Sequence, residues 1–340
     1  MNRPSSSTSS FRERAAFLAK CALMAALVAG GFFAFVVPRF GERYPAAMAD
    51  KIERLRAIRG PKIVVIGNSN VAFGIDSKVL ARAFGRPAVN AGLHAGFSGV
   101  FLERMADVNP VPGDVYVLCH ARYDDACYSS DPLFVWMAVE TRPAAWTLLR
   151  RSDAAGLLFG LPDYLRAALD ESAAAAAWPD GRPGKPKASE TAYARRAFDE
   201  NGDNVFPRVH RYDLVEHVVP PPGPTRETAD RINALARRLR EKGAFVVVAA
   251  NPVVEDPATD PPEAFEAFRR ELAGMLECPV VSDWKDYRFP REWFFDNSLH
   301  LTNEGAARRT ERLALDLAAW AAEHPESGLV TAPGFASAAK

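Results

Sequence analysis

Lys62-Ile-Val-Val-Ile-Gly-Asn-Ser-Asn70 is the stretch that decides the fold. Its β-branched run, Ile63 to Ile66, leads straight into glycine. A short apolar run of this kind, without polar alternation, is expected as a strand buried on both faces. Gly67 has no Cβ and suits the tight turn by which the chain leaves such a strand. Ser69 is therefore expected on a sharp turn at the mouth of a sheet, near the start of the segment that follows.

The same pattern recurs outward. Pro87-Ala-Val-Asn90 and Asp114-Val-Tyr-Val-Leu-Cys119 read as strands, as do 244–250 and 279–282. Helical periodicity is found at 77–84, with Ser77 as the cap and Gly85 as the stop, and at 99–108, 225–242, 262–277 and about 303–323. Buried strands alternating with amphipathic helices predict an α/β fold with a parallel sheet covered on both faces. In such sheets ligands gather at the carboxyl ends of the strands. Residues 67–70, 90–96, 120–125, Asn251 and, through a loop, 296–300 all fall there. Between 126 and 225 the alternation breaks. Two helices are expected there, at 133–150 and 162–178, with a Pro/Gly/Lys linker at 181–187. This region reads as a largely helical insertion that serves as a lid or faces a partner.

Lysine plus arginine equals aspartate plus glutamate at 42 each, so the 340-residue chain has no net charge and no basic excess for nucleic acid. Hydrophobic residues make up 48%, enough for a real core. Proline is frequent at 26 residues, and much of it falls in 179–225 and 252–262, which read as loops. Four cysteines are too few for a disulfide framework. An exported chain would permit a Cys119–Cys127 bridge, and a buried free Cys119 at a strand end is the alternative.

Residues 21–37 carry no charge, and 15–19 extend the run across Lys20. At 1.5 Å per residue, this length suits a hydrocarbon layer of about 30 Å. Arg3, Arg12, Arg14 and Lys20 precede the core of the run against Glu13 alone, which predicts a cytoplasmic N-terminus and an extracytoplasmic (periplasmic) body. A signal peptide cleaved near Ala46-Ala-Met-Ala-Asp50 is the rival, but its apolar region should be about 7–15 residues. The expected organisation is a tail and transmembrane anchor at 1–40, a stalk at 41–60, an α/β domain at 61–325 and a flexible tail at 326–340.

Phe295-Asp-Asn-Ser-Leu-His-Leu-Thr-Asn-Glu-Gly305 puts Asp296 and His300 in one loop before the last helix. A carboxylate in reach of an imidazole can fix its tautomer, leaving the other nitrogen to act as general base toward a serine. Ser69, His300 and Asp296 are thus the parts of a nucleophilic acyl-transfer site. The competing reading makes Ser69 a turn residue and Asp296 a loop or cap residue. A metal site from His94, His120, Asp124, Asp125 and His300 lacks His-x-x-x-His or Cys-x-x-Cys spacing. His94 is expected to line the pocket or to bond locally.

Gly67-Asn-Ser-Asn70, Asn90-Ala-Gly92 and the Asp296…His300 pair resemble blocks of the SGNH (GDSL-like) hydrolase superfamily. Ile66-Gly-Asn-Ser-Asn-Val-Ala-Phe-Gly-Ile-Asp76 is similar to its membrane-associated bacterial members. The resemblance spans roughly 61–125 and 243–320. It implies a three-layer flavodoxin-like α/β/α sandwich with esterase, lipase or O-acyltransferase activity and no cofactor. On it, Ser69 matches the nucleophile, His300 the base, Asp296 the orienting acid and Gly92 the second oxyanion donor. Two departures stand out. The acid lies four residues before the histidine where the family has three, and His120-Ala-Arg-Tyr-Asp-Asp125 has no asparagine for the third oxyanion donor. Asn68, Asn70, Asn90 and Arg122 are the remaining candidates for oxyanion or substrate contacts. With the compartment, the resemblance implies acyl esters of cell-envelope glycans or lipids as substrate. The bilayer and a membrane acyltransferase are the implied partners. The alternative function is an inactive scaffold of an envelope assembly with the same fold.

Overall fold

The computed structural model describes residues 7–35, 39–128, 130–177 and 191–335. The chain divides into two units, Met1–Arg39 and Phe40–Lys340. Among its described residues the first holds one helix, α1 (Ser7–Phe35). The uncharged run 21–37 continues past α1 into residues 36–37, outside the described residues. Among the described residues no helix is long and apolar enough to cross a membrane.

The second unit contains, in order, α2 (Ala47–Ala57), β1 (Ile63–Gly67), α3 (Ser69–Ala72), α4 (Ser77–Phe84), β2 (Ala88–Asn90), α5 (Gly99–Glu103) and β3 (Val115–Cys119). It continues with α6 (Pro132–Thr141), α7 (Arg151–Ala177), α8 (Arg226–Arg240), β4 (Phe245–Val248), β5 (Val253–Glu255), α9 (Pro262–Met275), β6 (Arg288–Pro290) and α10 (Asn303–Glu323). The main sheet is parallel throughout, in the order β2-β1-β3-β4. Val65 is level with Asn90 and Val117, and Gly67 with Cys119, so three strands end at one edge.

All of β1 and β3 is buried. Ile63, Val65, Val117 and Cys119 share a core with Leu80 and Phe84 of α4 and with Leu313, Leu317 and Trp320 of α10. The alternate residues, Val64, Ile66, Tyr116 and Leu118, are equally inaccessible. Successive strand side chains point to opposite faces, so the sheet is covered on both. This explains the unbroken apolar runs in the sequence. At the amino end of the sheet, Lys62 Nζ meets Asp114 Oδ2 at 2.7 Å, both side chains fully buried.

Several sequence expectations change. The short helical stalk expected within 41–60, at 45–59, is a helix, α2, but it packs into the second unit, burying Met48, Lys51, Ile52 and Leu55. Lys51 Nζ donates to the carbonyls of Asn90 (2.8 Å) and Gly202 (2.5 Å). Helix α4 is capped by Asp76, whose carboxylate accepts from Lys78 N–H at 3.0 Å, while Ser77 Oγ donates to Asp203 at 2.6 Å. The helix expected at 133–150 ends at Thr141 because Pro143 forces Arg142 into an extended conformation. The next helix starts earlier, with Pro162 inside α7 rather than at its start. The presumed loop at 252–262 contains β5, paired in parallel with β6. The strand expected at 279–282 is reduced to one bridge, Val248 to Val280. Part of the presumed tail is anchored, with Leu329 buried and Ala332 N–H bonded to Ala83 O at 2.7 Å. The 181–187 linker and residues 336–340 lie outside the described residues. Cys119 is buried and free, so the permitted Cys119–Cys127 bridge is not formed.

Candidate active site

The carboxyl edge of β1 is built around close approaches at Gly67. A Cβ there would lie 2.3 Å from Cys119 O of β3 and 2.5 Å from Val71 Cγ2, so glycine lets both β3 and α3 pack against the strand end. The chain passes through extended Asn68 into α3, with Ser69 as its first residue. Ser69 is partly accessible and its carbonyl accepts from Phe73 N–H at 2.9 Å. Helix α3 has only four residues, so an extended helix dipole does not act at Ser69. Among the described residues no hydrogen bond joins the Ser69 side chain to His300.

Asp296 and His300 meet as their spacing suggested. His300 Nδ1 lies 2.8 Å from Asp296 Oδ1. The loop is pinned by Asn297, whose Oδ1 accepts from the N–H groups of Leu299 (2.8 Å) and His300 (3.0 Å). At its ends, Phe295 N–H donates to His300 O and Phe294 bridges to Leu301, closing a tight antiparallel turn. Burial pushes the Asp296 carboxyl up, but hydrogen bonds from His300 and Tyr193 outweigh it and hold the group below its ordinary value. An ionised carboxylate only accepts, so the Asp296 contact favours the imidazole proton on Nδ1, a nitrogen that Asn297 Nδ2 also approaches to 2.8 Å, and leaves Nε2 unprotonated. The ring is buried and stacks on Phe73, with centroids 4.3 Å apart and planes 11° from parallel.

Tyr193, from the region read as an insertion, completes this group. Its hydroxyl donates to Asp296 Oδ2 at 2.6 Å and lies 3.1 Å from His300 Nδ1. Burial first, and then the bond to Asp296, raises the Tyr193 phenol, so it stays protonated and donates. Arg208 fastens the same segment to the core, donating to Leu301 O at 2.9 Å, Asn204 Oδ1 at 2.9 Å and Phe73 O at 3.3 Å. Burial lowers its guanidinium to about 10. Nothing local in Ala192-Tyr193-Ala194 marks the tyrosine as a site residue. The contact spans more than a hundred positions and exists only after folding.

The other sequence candidates mostly serve the framework. Asn70 is fully buried and donates to Cys119 O at 2.9 Å and Asn251 Oδ1 at 2.5 Å. Asn251 in turn donates to His120 O at 2.7 Å, so paired amides tie three strand ends together. Asn90 is also fully buried, donating to Val71 O at 3.0 Å. Its Oδ1 accepts the Gly92 N–H at 3.1 Å, which engages the expected second oxyanion donor. Gly92 is required for a different reason, since a Cβ there would lie 2.5 Å from Val71 Cβ and 2.9 Å from Ala72 N. Arg122 pairs with neighbouring Asp124 near the surface (Nε to Oδ1 3.0 Å). Asn68 is partly accessible, and its Oδ1 accepts from Ala121 N–H at 3.1 Å.

The histidines of the metal reading do not converge. His120 is buried 2.9 Å from Glu103, which also binds Arg231, whereas His300 is committed to Asp296. Among the described residues no group of three or more His, Cys, Asp or Glu side chains could hold a metal ion. His94 stacks on Phe134 (4.3 Å, 15°) and lines a cleft of about 320 Å³ with Phe40, Tyr44, Met137 and Tyr193. Tyr193 therefore links the cleft to the Asp296–His300 pair.

Compared with known proteins, the chain matches no family model, no curated protein and no solved structure.

Proposed function

We propose that the protein is a membrane-anchored serine esterase or O-acyltransferase of SGNH type, with a flavodoxin-like three-layer body. The observation that carries this reading is the 2.8 Å contact between Asp296 Oδ1 and His300 Nδ1. The His300 ring stacks on Phe73, the residue that closes the short helix α3 begun by Ser69, and this contact supports bringing the pair to the serine. In the proposed reaction Ser69 Oγ bonds to the ester carbonyl carbon while His300 Nε2 takes its proton. The proton then passes to the leaving alcohol oxygen as the ester bond breaks. Water or an acceptor hydroxyl next attacks the acyl-enzyme, with His300 as base again, and Ser69 is released. Transfer is favoured over hydrolysis to the extent that the cleft excludes water. The proposed substrates are acyl esters of envelope glycans or lipids, with a membrane acyltransferase as a partner that supplies acyl groups.

Anchoring rests on the uncharged run 21–37 and the basic residues before it. If it holds, the chain stays in the membrane pellet after carbonate washing, and external protease cuts the body in spheroplasts. A soluble form beginning near Asp50 would instead indicate cleavage.

The test of the chemistry uses full-length protein in detergent, a fluorophosphonate probe with mass mapping, and a small aryl acetate. Labelling at Ser69 and its loss with turnover in Ser69→Ala are expected. Equal turnover by both proteins would overturn the assignment. Supplying water and a sugar hydroxyl together separates hydrolysis from transfer by the products.

A second reading has its own support. With Gly92 N–H engaged by Asn90, and Asn70 and Asn90 buried in the framework, the oxyanion donors named from sequence are largely committed. An inactive scaffold would retain its cellular role in Ser69→Ala and His300→Ala but lose it on deletion of 131–225.

A further inference from the structure

Resting on the esterase or acyltransferase reading, the engagement of Gly92 N–H by Asn90 and the burial of Asn70 and Asn90 raise the question of what else could polarise an ester carbonyl. The turn after β2 supplies one group. His94 Nδ1 accepts the Gly96 N–H at 2.9 Å. In a neutral imidazole the nitrogen that accepts carries no proton, so the proton sits on Nε2. Nδ1 faces the ring's own turn, so the opposite edge, with Nε2–H, is directed away from that backbone.

Two contacts hold the ring. It stacks on Phe134 (4.3 Å, 15°) and meets Tyr44 edge-on (6.0 Å, 84°), and Tyr44 is fixed by its hydroxyl, which donates to the Leu93 carbonyl at 2.8 Å. The turn is joined to the serine turn, since Leu93 N–H bonds to Gly67 O at 3.3 Å. On its other side, Tyr44 packs edge-on against Tyr193 (5.7 Å), which holds the Asp296–His300 pair. His94 and Tyr193 line the same aromatic cleft. Burial, with a smaller contribution from the charge of His300, lowers the His94 imidazole below its ordinary value, and Asp131 opposes this only in part. The ring is thereby kept neutral and a donor at Nε2.

We propose that His94 Nε2–H binds the substrate's acyl carbonyl oxygen and stabilises the oxyanion formed when Ser69 attacks. The acyl group would lie along the apolar cleft walls of Phe40, Tyr44, Phe134 and Met137. The ligand class is an uncharged ester whose carbonyl stands at the His94 end, a role in which an imidazole replaces the missing asparagine.

The experiment compares wild type, His94→Phe, His94→Gln and Ser69→Ala as full-length protein, with an aryl acetate and fluorophosphonate labelling. Losing one oxyanion donor lowers turnover by about 100–1,000-fold, so His94→Phe should lose that much kcat with little change in KM. His94→Gln, which retains an N–H donor at similar reach, should recover a large part. A His94→Phe protein as active as wild type, beside an inactive Ser69→Ala, overturns the His94 role and leaves the serine mechanism standing. Absence of Ser69-dependent turnover and labelling in wild type overturns both. A wild-type measurement covers misfolding of the variants: in the Ser69 phosphonate adduct, the His94 Nε2 proton should move downfield in the NMR spectrum. An unchanged resonance also overturns the proposal.

Discussion

The Tyr193 hydroxyl donates to Asp296 Oδ2 at 2.6 Å, joining the long 126–225 segment to the histidine loop. The bond leaves the other carboxylate oxygen to hold His300 Nδ1. In the proposed mechanism Tyr193 therefore acts on His300 through Asp296, as a positioning residue.

Tyr193→Phe should therefore reduce turnover rather than abolish it. A hydrogen bond to a charged group contributes about 1.5–3 kcal/mol, so a loss of roughly 10- to 150-fold is expected. Asp296 must be ionised to hold the Nδ1 tautomer, so activity falls as pH drops through its titration. Tyr193 is one of the groups holding the Asp296 carboxyl low. Its removal raises that carboxyl, and the acid limb of the pH–rate profile moves to higher pH. A limb that does not move counts against the positioning role.

Gly92→Ala tests the seat of the serine turn. The added Cβ would press on Val71 and on the backbone of Ala72, neither the end of a flexible side chain. Overpacking of this kind costs about 1–3 kcal/mol. Thermal unfolding followed by circular dichroism should give a lower Tm, and Ser69 labelling should slow. An unchanged Tm would mean that α3 yields more readily than its contacts suggest.

The buried Lys62–Asp114 pair gives a prediction about the core. Lys62→Met leaves Asp114 without its cation, although the Tyr116 hydroxyl (2.9 Å) and the Val111 N–H (3.0 Å) still donate to it. Removing one partner of a buried pair costs about 3–5 kcal/mol. The double variant Lys62→Met with Asp114→Asn should regain part of the loss, because no unpaired charge remains. Urea denaturation of the two proteins makes the comparison, and equal stabilities would contradict it.

Stability should also depend on pH through His94. Its imidazole titrates lower in the folded chain than in the unfolded one. Below the ordinary histidine value of about 6.5 the unfolded chain binds the extra proton, so stability falls as pH falls. The contribution is complete above that value. As pH falls below that ordinary value, Tm should therefore decline more steeply in wild type than in His94→Gln. Parallel curves would assign the decline to other groups.

Local pattern made much of the framework legible. The runs around Ile63–Gly67 and Val115–Cys119 needed no partner to be recognised, because a strand buried on both faces must be apolar at every position. Helix Asn303–Glu323 was equally plain from its periodicity. The approach of Asp296 to His300 is also local, since one short loop determines it. Tertiary structure decided what a residue type leaves open, namely which partner a polar group finds. Asn70 and Asn90 could have faced a substrate, but folding buries both and binds their amides to Cys119, Asn251 and Val71. Gly92 N–H turns to Asn90, and the helix expected to stand as a stalk packs into the body with Lys51 inside. Tyr193 meets Asp296 only once the chain between them has folded. Periodicity is written along the chain and reports burial, whereas a hydrogen bond depends on two groups whose separation in space the sequence does not state.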